Sequence, residues 1–585
     1  MFCLSSSPLV MGFTRFCFGL AKKTLLAAPM GGMAAAAFDA GPGSLSTFSA
    51  WMGIMAFAFQ TYFLLSGYAD MAVGVAEVLG VRTEDVFHSP YQADGITDFW
   101  KRWSLPVAGL IDEKTNTRIG VALTMLIGAL WLGASWSLVL WGGIHLGLLA
   151  LEQVTGAKAV YAGFPKPLRV TITFFILLLT WVFFRAGSIL DAVRFLALMF
   201  GAGPSSAPTV ALLDADMLRN FNTVHFVLCA LILWAAPNAR SLLRKPASWK
   251  PLFALGLLAL SILMSTKESG APELVRQQKQ ALLIRVGGEG NEVVHVAAGG
   301  WLFAKADIAA LCGRGPLDST RAPTCPQSSV DAMLGIAARF KKLGLPLLLV
   351  PVPTKTMIYP EHLSPEKFDD PVHHHDQLAL HDKLRAAGAD VVDLAPEMWR
   401  LKLRRQVFLQ QDTHWTPDAM KIMAEALTKH IRGKYPQALK SLAETPIVDA
   451  RLLDRASHGD LVAALDLAAP DAIFPQEQVT LVSIVGMDPR HDSPVTVIGD
   501  SFASVFDDPA LGFAATGDAG ASTPMKAGFG NQLAVLLNQP LDVIADSTGS
   551  SISAMRDFIA QPDEQLAKKK LVIWLLSANT LLACR

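Results

Sequence analysis

Hydrophobic positions fall into two regimes along the chain. Before about residue 267 they gather in long apolar runs, at 10–20, 48–65, 119–132, 137–151, 170–184, 224–235 and 252–264. Each run is a candidate membrane span. Several are shorter than the ~20 apolar residues of a simple crossing, so partly buried or re-entrant helices are expected among them. Beyond residue 267 the pattern is that of a water-soluble α/β domain. Residues 330–343 carry helical periodicity, and 346–352 form a continuous apolar run suited to a buried parallel strand. A helix over 376–387 and a strand over 390–394 follow. Pro417 stands at a first-turn position and opens a helix to about residue 431. Further strands are predicted at 494–498, 541–545 and 571–576. This alternation predicts a doubly wound, mostly parallel sheet with functional residues on loops at the carboxyl ends of its strands.

A chain of 585 residues exceeds one domain. The expected division is a helical membrane domain over 1–266, a connector over 267–298 and the α/β domain over 299–585. Only 17% of residues are charged against 52% hydrophobic, which places part of the chain in lipid. The 50 basic and 50 acidic residues balance without long runs of one sign, which argues against a nucleic-acid partner. Arg240, Arg244, Lys245 and Lys250 precede the last apolar run. They assign that loop to the cytoplasm and the C-terminal half to the outside. Alternation then puts Lys101, Arg102, Lys114, Arg118, Lys166 and Arg169 inside, whereas Lys22 and Lys23 do not fit. Residues 1–20 lack the basic start and small-residue cleavage site of a signal peptide. Of six cysteines, Cys3, Cys17 and Cys229 lie in or beside apolar runs as packing residues. Cys312 and Cys325 flank a Gly/Pro-rich loop, where an oxidising compartment permits pairing.

Two stretches concentrate the chemistry. Gln411-Asp412-Thr413-His414-Trp415-Thr416-Pro417 holds an Asp two residues before a His, and Val497-Ile498-Gly499-Asp500-Ser501-Phe502 places a Ser after a predicted strand. Together they offer a nucleophile (Ser501), a base (His414) and an acid that orients the imidazole (Asp412). Taken singly, Gly-Asp-Ser is a common turn and Asp-x-His-Trp a helix cap with a packing Trp. The oxyanion donors assigned are the Ser501 backbone N–H and one near Gly549, where glycine permits close approach. Lys355 either binds an anionic sugar or caps a strand-end carbonyl. Trp415 is either a sugar-stacking surface or a core residue. In the membrane half, His145 and Asp70 are ionisable groups read either as site residues or as polar contacts between helices. His373-His374-His375-Asp376 invites a metal reading. Adjacent histidines point different ways, however, and no further ligands stand at suitable spacing, so no metal is expected. No phosphate-binding glycine loop, haem motif or paired-cysteine zinc motif is present.

The first 265 residues also carry a family resemblance. Gln60-Thr61-Tyr62-Phe63-Leu64-Leu65-Ser66-Gly67-Tyr68-Ala69-Asp70-Met71-Ala72, Ile96-Thr97-Asp98-Phe99-Trp100-Lys101-Arg102-Trp103, Trp131-Leu132-Gly133-Ala134-Ser135-Trp136 through Trp141-Gly142-Gly143-Ile144-His145, and Thr180-Trp181-Val182-Phe183-Phe184-Arg185-Ala186 resemble, in order, the alginate O-acetylation branch of the membrane-bound O-acyltransferases. Ser104 and Leu132 stand where that family carries its site His or Asn and His. The first several helices of the family are also missing, so the resemblance implies a truncated, degenerate membrane domain.

Residues 299–585 resemble the SGNH-hydrolase-like domain of alginate O-acetyltransferases, through Val350-Pro351-Val352-Pro353-Thr354-Lys355, Ile358-Tyr359-Pro360, Asp412-Thr413-His414-Trp415 and Gly499-Asp500-Ser501-Phe502. That resemblance implies Ser501, His414 and Asp412 as nucleophile, base and orienting acid, in the permuted order in which Asp-x-His precedes Ser. Together the two resemblances imply O-acetylation of an exported polysaccharide, alginate or a similar polymer, at the bacterial inner membrane with the C-terminal domain in the periplasm. No bound cofactor is implied beyond an acetyl donor, either acetyl-CoA or a relayed acetyl group. The implied partners are the polysaccharide, membrane lipid, a complete membrane acyltransferase and other export proteins. An acetyl esterase of the same polymer and a non-catalytic export scaffold are the alternatives.

Overall fold

The structure is a computed structural model that describes residues 8–41, 43–81, 86–103, 135–155, 161–203, 207–235, 250–264, 273–318, 328–439, 448–508, 511–513, 525–545 and 551–582. The chain forms two compact units, Met1–Ser205 with Leu213–Lys279, and Ser206–Leu212 with Gln280–Arg585. The stretch expected to be a connector carries the helix Glu273–Gly287 and a first strand, Val294–Val296.

The first unit is helical. Thr47–Val78, Trp136–Val154 and Lys166–Arg185 are long and apolar enough to cross a membrane. Among the described residues, the bent pair Pro208–Met217 and Asn220–Trp234, broken by 54° and belonging to the second unit as far as Leu212, makes a fourth if counted as one span. The run at 252–264 lies in the shorter helix Lys250–Met264. The run at 119–132 lies outside the described residues, as do Ser104, Lys114, Arg118, Leu132, Arg240, Arg244 and Lys245.

The run at 48–65 extends much further than its apolar part, to Val78, because its charges find partners. The helix Pro8–Ala21 lies antiparallel against it, with Gly12 facing Gly74 and Gly19 facing Gly67. A Cβ at any of the four would sit 2.5–2.7 Å from the facing carbonyl oxygen, so only glycine allows this approach. The close packing brings Asp70 within 3.2 Å of Arg15 Nε and 2.6 Å of Lys22 Nζ, and Glu77 within 3.2 Å of Arg15 Nη1. Asp70 is thus ion-paired between two helices.

His145 is likewise held between helices. Trp100 Nε1 donates to its Nδ1 at 3.2 Å, which leaves Nε2 to carry the hydrogen toward Thr180 Oγ1 at 3.0 Å. The Thr180 hydroxyl in turn donates to Leu177 O at 2.8 Å. This chain satisfies a neutral imidazole at both nitrogens.

Among the described residues, the second unit is built on nine strands: β1 (Val294–Val296), β2 (Leu302–Ala304), β3 (Leu347–Val352), β4 (Asp390–Val391), β5 (Asp449–Ser457), β6 (Glu477–Val485), β7 (Val495–Gly499), β8 (Asp542–Ala545) and β9 (Leu571–Ser577). Five form a parallel sheet in the order β4-β3-β9-β7-β8. Its side chains alternate between two cores. Leu348, Val350, Val497, Ile573 and Leu575 pack on one face with the helices Pro417–Lys434 and Phe529–Leu537. Leu347, Leu349, Ile498, Val572 and Trp574 pack on the other with the helices Ser328–Leu343, Gln377–Ala387 and Ser551–Ile559. A sheet buried on both faces explains why its strands read as continuous apolar runs.

Two antiparallel pairs, β1-β2 and β5-β6, were not expected from the pattern. β5 is mostly exposed, with Leu453 partly buried against the core, so it holds chiefly by ladder hydrogen bonds and cross-strand pairs and carries little apolar signal to announce it.

Candidate active site

Ser501 opens a short helix, Ser501–Ser504, directly after β7. The local sequence dictates this turn. A Cβ on Gly499 would lie 2.5 Å from Ala503 Cβ, so the strand and helix can meet this closely only at glycine. Asp500 caps the helix by accepting from Phe502 N at 3.0 Å, and its other oxygen accepts Ser577 N at 2.8 Å. One carboxylate thus ties the nucleophile turn to the carboxyl end of the adjoining strand β9.

His414 reaches this turn from a narrow loop. Phe408 pairs with Trp415 as an antiparallel bridge, Leu409 N donates to His414 O at 3.1 Å, and Thr416 N donates to Val407 O at 3.0 Å. Thr416 then caps Pro417–Lys434, accepting Ala419 N at 3.2 Å, which places the start of this helix where Pro417 predicts it. Beneath the loop, the two Glu477 oxygens accept Gln410 N at 2.7 Å and Gln411 N at 2.6 Å. Lys355 Nζ donates to Leu302 O at 2.7 Å and Gln410 O at 3.3 Å.

The three side chains singled out in the sequence converge. His414 Nε2 lies 2.8 Å from Ser501 Oγ, and His414 Nδ1 lies 2.7 Å from Asp412 Oδ1. Asp412 Oδ1 also accepts His414 N at 2.9 Å, and its Oδ2 accepts Asp460 N at 2.8 Å. An ionised Asp412 can only accept, so Nδ1 carries the hydrogen and Nε2 is free to take the serine proton. Asp412 and His414 are buried, whereas Ser501 stays partly exposed and accessible to a reactant.

Burial alone would lower the His414 pKa. Asp412, Asp460 and Asp500 outweigh it and push the imidazole up to about 9. Burial likewise raises the Asp412 carboxyl, but the His414 charge and hydrogen bonds bring it below its ordinary value. Burial lowers Lys355 to about 8 against the pull of the surrounding acids.

Lys355 is 2% exposed and its ammonium is turned onto backbone carbonyls, the capping alternative of its two readings. Trp415 is fully buried against Phe529 and Phe502 and offers no surface to a sugar, which places it in the core. Gly549 lies outside the described residues, as does Cys325. At the histidine run, His374 Nε2 is spent on Gly313 O at 3.0 Å and its Nδ1 accepts Asp376 N at 3.0 Å. Its nearness to His375 and Asp376 is therefore that of a backbone-anchored turn.

The sequence reading missed Asp460, Glu477 and the capping role of Asp500. Asp460 follows Gly459 at φ +73°, and a Cβ on Gly459 would strike Gln411 O at 2.6 Å and Asp412 Cβ at 2.7 Å. The His458-Gly459-Asp460 turn opening a helix was the available signal.

The fold and this geometry define an α/β domain with a Ser-His-Asp arrangement at the carboxyl end of its parallel sheet. Residues 294–578 match the family described as "SGNH hydrolase-like domain, acetyltransferase AlgX". Among curated proteins, "Probable alginate O-acetylase AlgI" of Azotobacter vinelandii is 31% identical over 255 residues, 41% of this chain and 49% of that protein. "Probable alginate O-acetylase AlgJ" of Pseudomonas putida is 25% identical over 288 residues, 49% of this chain and 69% of that protein. The chain thus spans about half the length of the AlgI relative it matches. Among solved structures, the O-acetyltransferase domain of Pseudomonas putida AlgJ aligns with a TM-score of 0.38 at 21% identity, covering 49% of this chain and 91% of that one.

Proposed function

We propose that this protein is an O-acetyltransferase for an exported polysaccharide, working through an acyl-enzyme on Ser501. The observation that carries the reading is the hydrogen-bonded line Ser501–His414–Asp412, at 2.8 and 2.7 Å, within a domain that matches an acetyltransferase family. In the first half-reaction the Ser501 hydroxyl proton passes to His414 Nε2 as Oγ attacks the acetyl carbonyl. The tetrahedral intermediate collapses, and Nε2 returns the proton to the departing group. In the second, a sugar hydroxyl loses its proton to Nε2 and attacks the acetyl-serine. Ser501 leaves as it recovers that proton. The Ser501 backbone N–H is the oxyanion donor assigned here.

The apolar helices of the first unit are compatible with membrane insertion, and the acetyl group is delivered through that unit from acetyl-CoA or a carrier. The soluble unit faces the periplasm in this reading. With Ser104 and Leu132 in the positions of the family's site residues, a complete membrane acyltransferase is the expected partner. Alginate, named for the relatives, or a polymer with similar hydroxyls is the acceptor.

The test uses the full chain in detergent with an activated acetyl ester, with and without polysaccharide. Acetyl transfer that requires Ser501 and the acceptor supports the proposal. Acceptor-independent hydrolysis alone assigns an esterase, and unchanged acetylation of the surface polysaccharide in cells carrying Ser501→Ala assigns a scaffold.

A further inference from the structure

His414 has a second carboxylate neighbour. Asp460 Oδ2 lies 3.8 Å from His414 Nδ1, on the side opened by Thr413. The Thr413 hydroxyl donates to that same Asp460 oxygen, and its own oxygen stands 3.3 Å from Nδ1. Asp460 Oδ1 accepts Thr413 N at 2.8 Å. Asp412, meanwhile, has both oxygens committed, one to the two His414 nitrogens and one to Asp460 N. The two acids are therefore locked to each other and to the imidazole through backbone amides. The left-handed Gly459 sets the turn that makes this possible.

We propose that Asp460 is a positioning residue of the acyl-transfer site. Through Thr413 it shares with Asp412 the positive charge that His414 takes on when Ser501 Oγ–H gives its proton to Nε2. The inference rests on the reading of Ser501 as nucleophile. The other charged groups facing this cluster are Asp500 at the end of β7, Asp307 on the helix Lys305–Cys312, Glu477 on β6 and Lys355 on the helix Lys355–Ile358. Asp500 and Glu477 each spend both oxygens on backbone N–H groups, and Asp307 accepts Asn579 Nδ2 at 2.7 Å. Asp460 is the one whose carboxylate meets Nδ1 through a hydroxyl. Its side chain is 40% exposed, while burial and the neighbouring Asp412 hold its carboxyl above the ordinary value and the His414 charge pulls it down.

The experiment follows covalent labelling of the full chain in detergent by a fluorophosphonate between pH 5 and 10. The rate reports the neutral fraction and basicity of His414 without needing an acetyl donor or acceptor. Asp460→Asn keeps the backbone N–H and a carbonyl oxygen for Thr413 N, removes the charge and puts an amide donor where Oδ2 accepts the Thr413 hydroxyl. Its labelling midpoint is expected to fall by about 1 pH unit, the lower end of the effect of a nearby opposite charge, with a lower plateau above it. Thr413→Val keeps the charge but breaks the bridge, and the midpoint is expected to fall by less. Asp460→Glu is expected to restore the wild-type midpoint. A midpoint unmoved in both Asp460→Asn and Thr413→Val, even with a uniformly slower rate, overturns the inference. If Asp460→Asn fails to fold, an unmoved midpoint in Thr413→Val alone overturns it. Wild-type protein that labels no faster than Ser501→Ala defeats instead the reading of Ser501 as nucleophile, a separate and recognisable result.

Discussion

His414 Nε2 stands 2.8 Å from Ser501 Oγ although 87 residues separate the two in the chain. Each comes from a loop with its own anchor. Asp500 ties the serine turn to β9, and Glu477 with Lys355 ties the histidine loop to the strands beneath it. The contact is thus made by two loops that are each anchored to strands of the domain.

Replacing the nucleophile tests the site most directly. Ser501→Ala is expected to lower acetyl transfer by about 10³-fold or more while leaving the melting temperature close to that of the wild type, since the side chain is partly exposed and its hydroxyl is bonded to His414. Transfer assays paired with thermal melting check both halves of this expectation.

The pH dependence has a definite sign. The neutral imidazole is the base, and its pKa in the folded protein is raised to about 9. Acyl-enzyme formation should therefore climb about tenfold per unit between pH 7 and 8.5 and level off above 9. The same shift acts on stability. The charged His414 contributes fully below its unfolded value near 6.5, and the contribution is lost as pH rises through about 9. The melting temperature difference between wild type and His414→Gln should narrow across that window.

Gly459 supports Asp412 from behind. Gly459→Ala combines a φ of +73° with a Cβ 2.7 Å from that of Asp412. It is expected to cost about 1–3 kcal/mol of stability and to reduce transfer at least ~10-fold by displacing the orienting acid. Chemical denaturation and transfer kinetics measure the two effects.

Lys355 separates a structural role from a binding one. Lys355→Met leaves the Leu302 and Gln410 carbonyls without their ammonium, so a loss of about 1–3 kcal/mol is expected, with an unchanged KM for polysaccharide. A raised KM at unchanged melting temperature would return Lys355 to the substrate site.

In the helical unit, Gly67→Leu places a side chain where the Gly19 carbonyl oxygen lies 2.7 Å from the Cβ position. The helices Pro8–Ala21 and Thr47–Val78 must then separate, breaking the ion pairs of Asp70 with Arg15 and Lys22. The yield of monodisperse protein in detergent should fall sharply, and Gly67→Ala should cost less.

Much of the fold was legible because burial writes itself into residue type. β3, β7 and β9 are buried on both faces, so 346–352, 494–498 and 571–576 read as apolar runs. Pro417 announced a helix start through its own backbone chemistry. β5 stayed hidden because a mostly exposed strand needs little apolar pattern. Within the site, Ser501, His414 and Asp412 stood out as residue types whose chemistry is rare in combination. Asp460 and Glu477 did not, because an acid that holds a distant backbone N–H looks like any surface acid until the chain has folded.

The amino-acid sequence alone determined where the chain is apolar, where it must turn and which side chains are able to carry acyl chemistry, since these are properties of single residues and their near neighbours. The tertiary structure alone decided which polar groups meet. It turned Lys355 and Trp415 inward, satisfied His145 between Trp100 and Thr180, paired Asp70 with Arg15 and brought a second carboxylate to His414. The reason is physical: hydrogen bonds and ion pairs act over a few ångströms of space, and separation along the chain does not specify that distance.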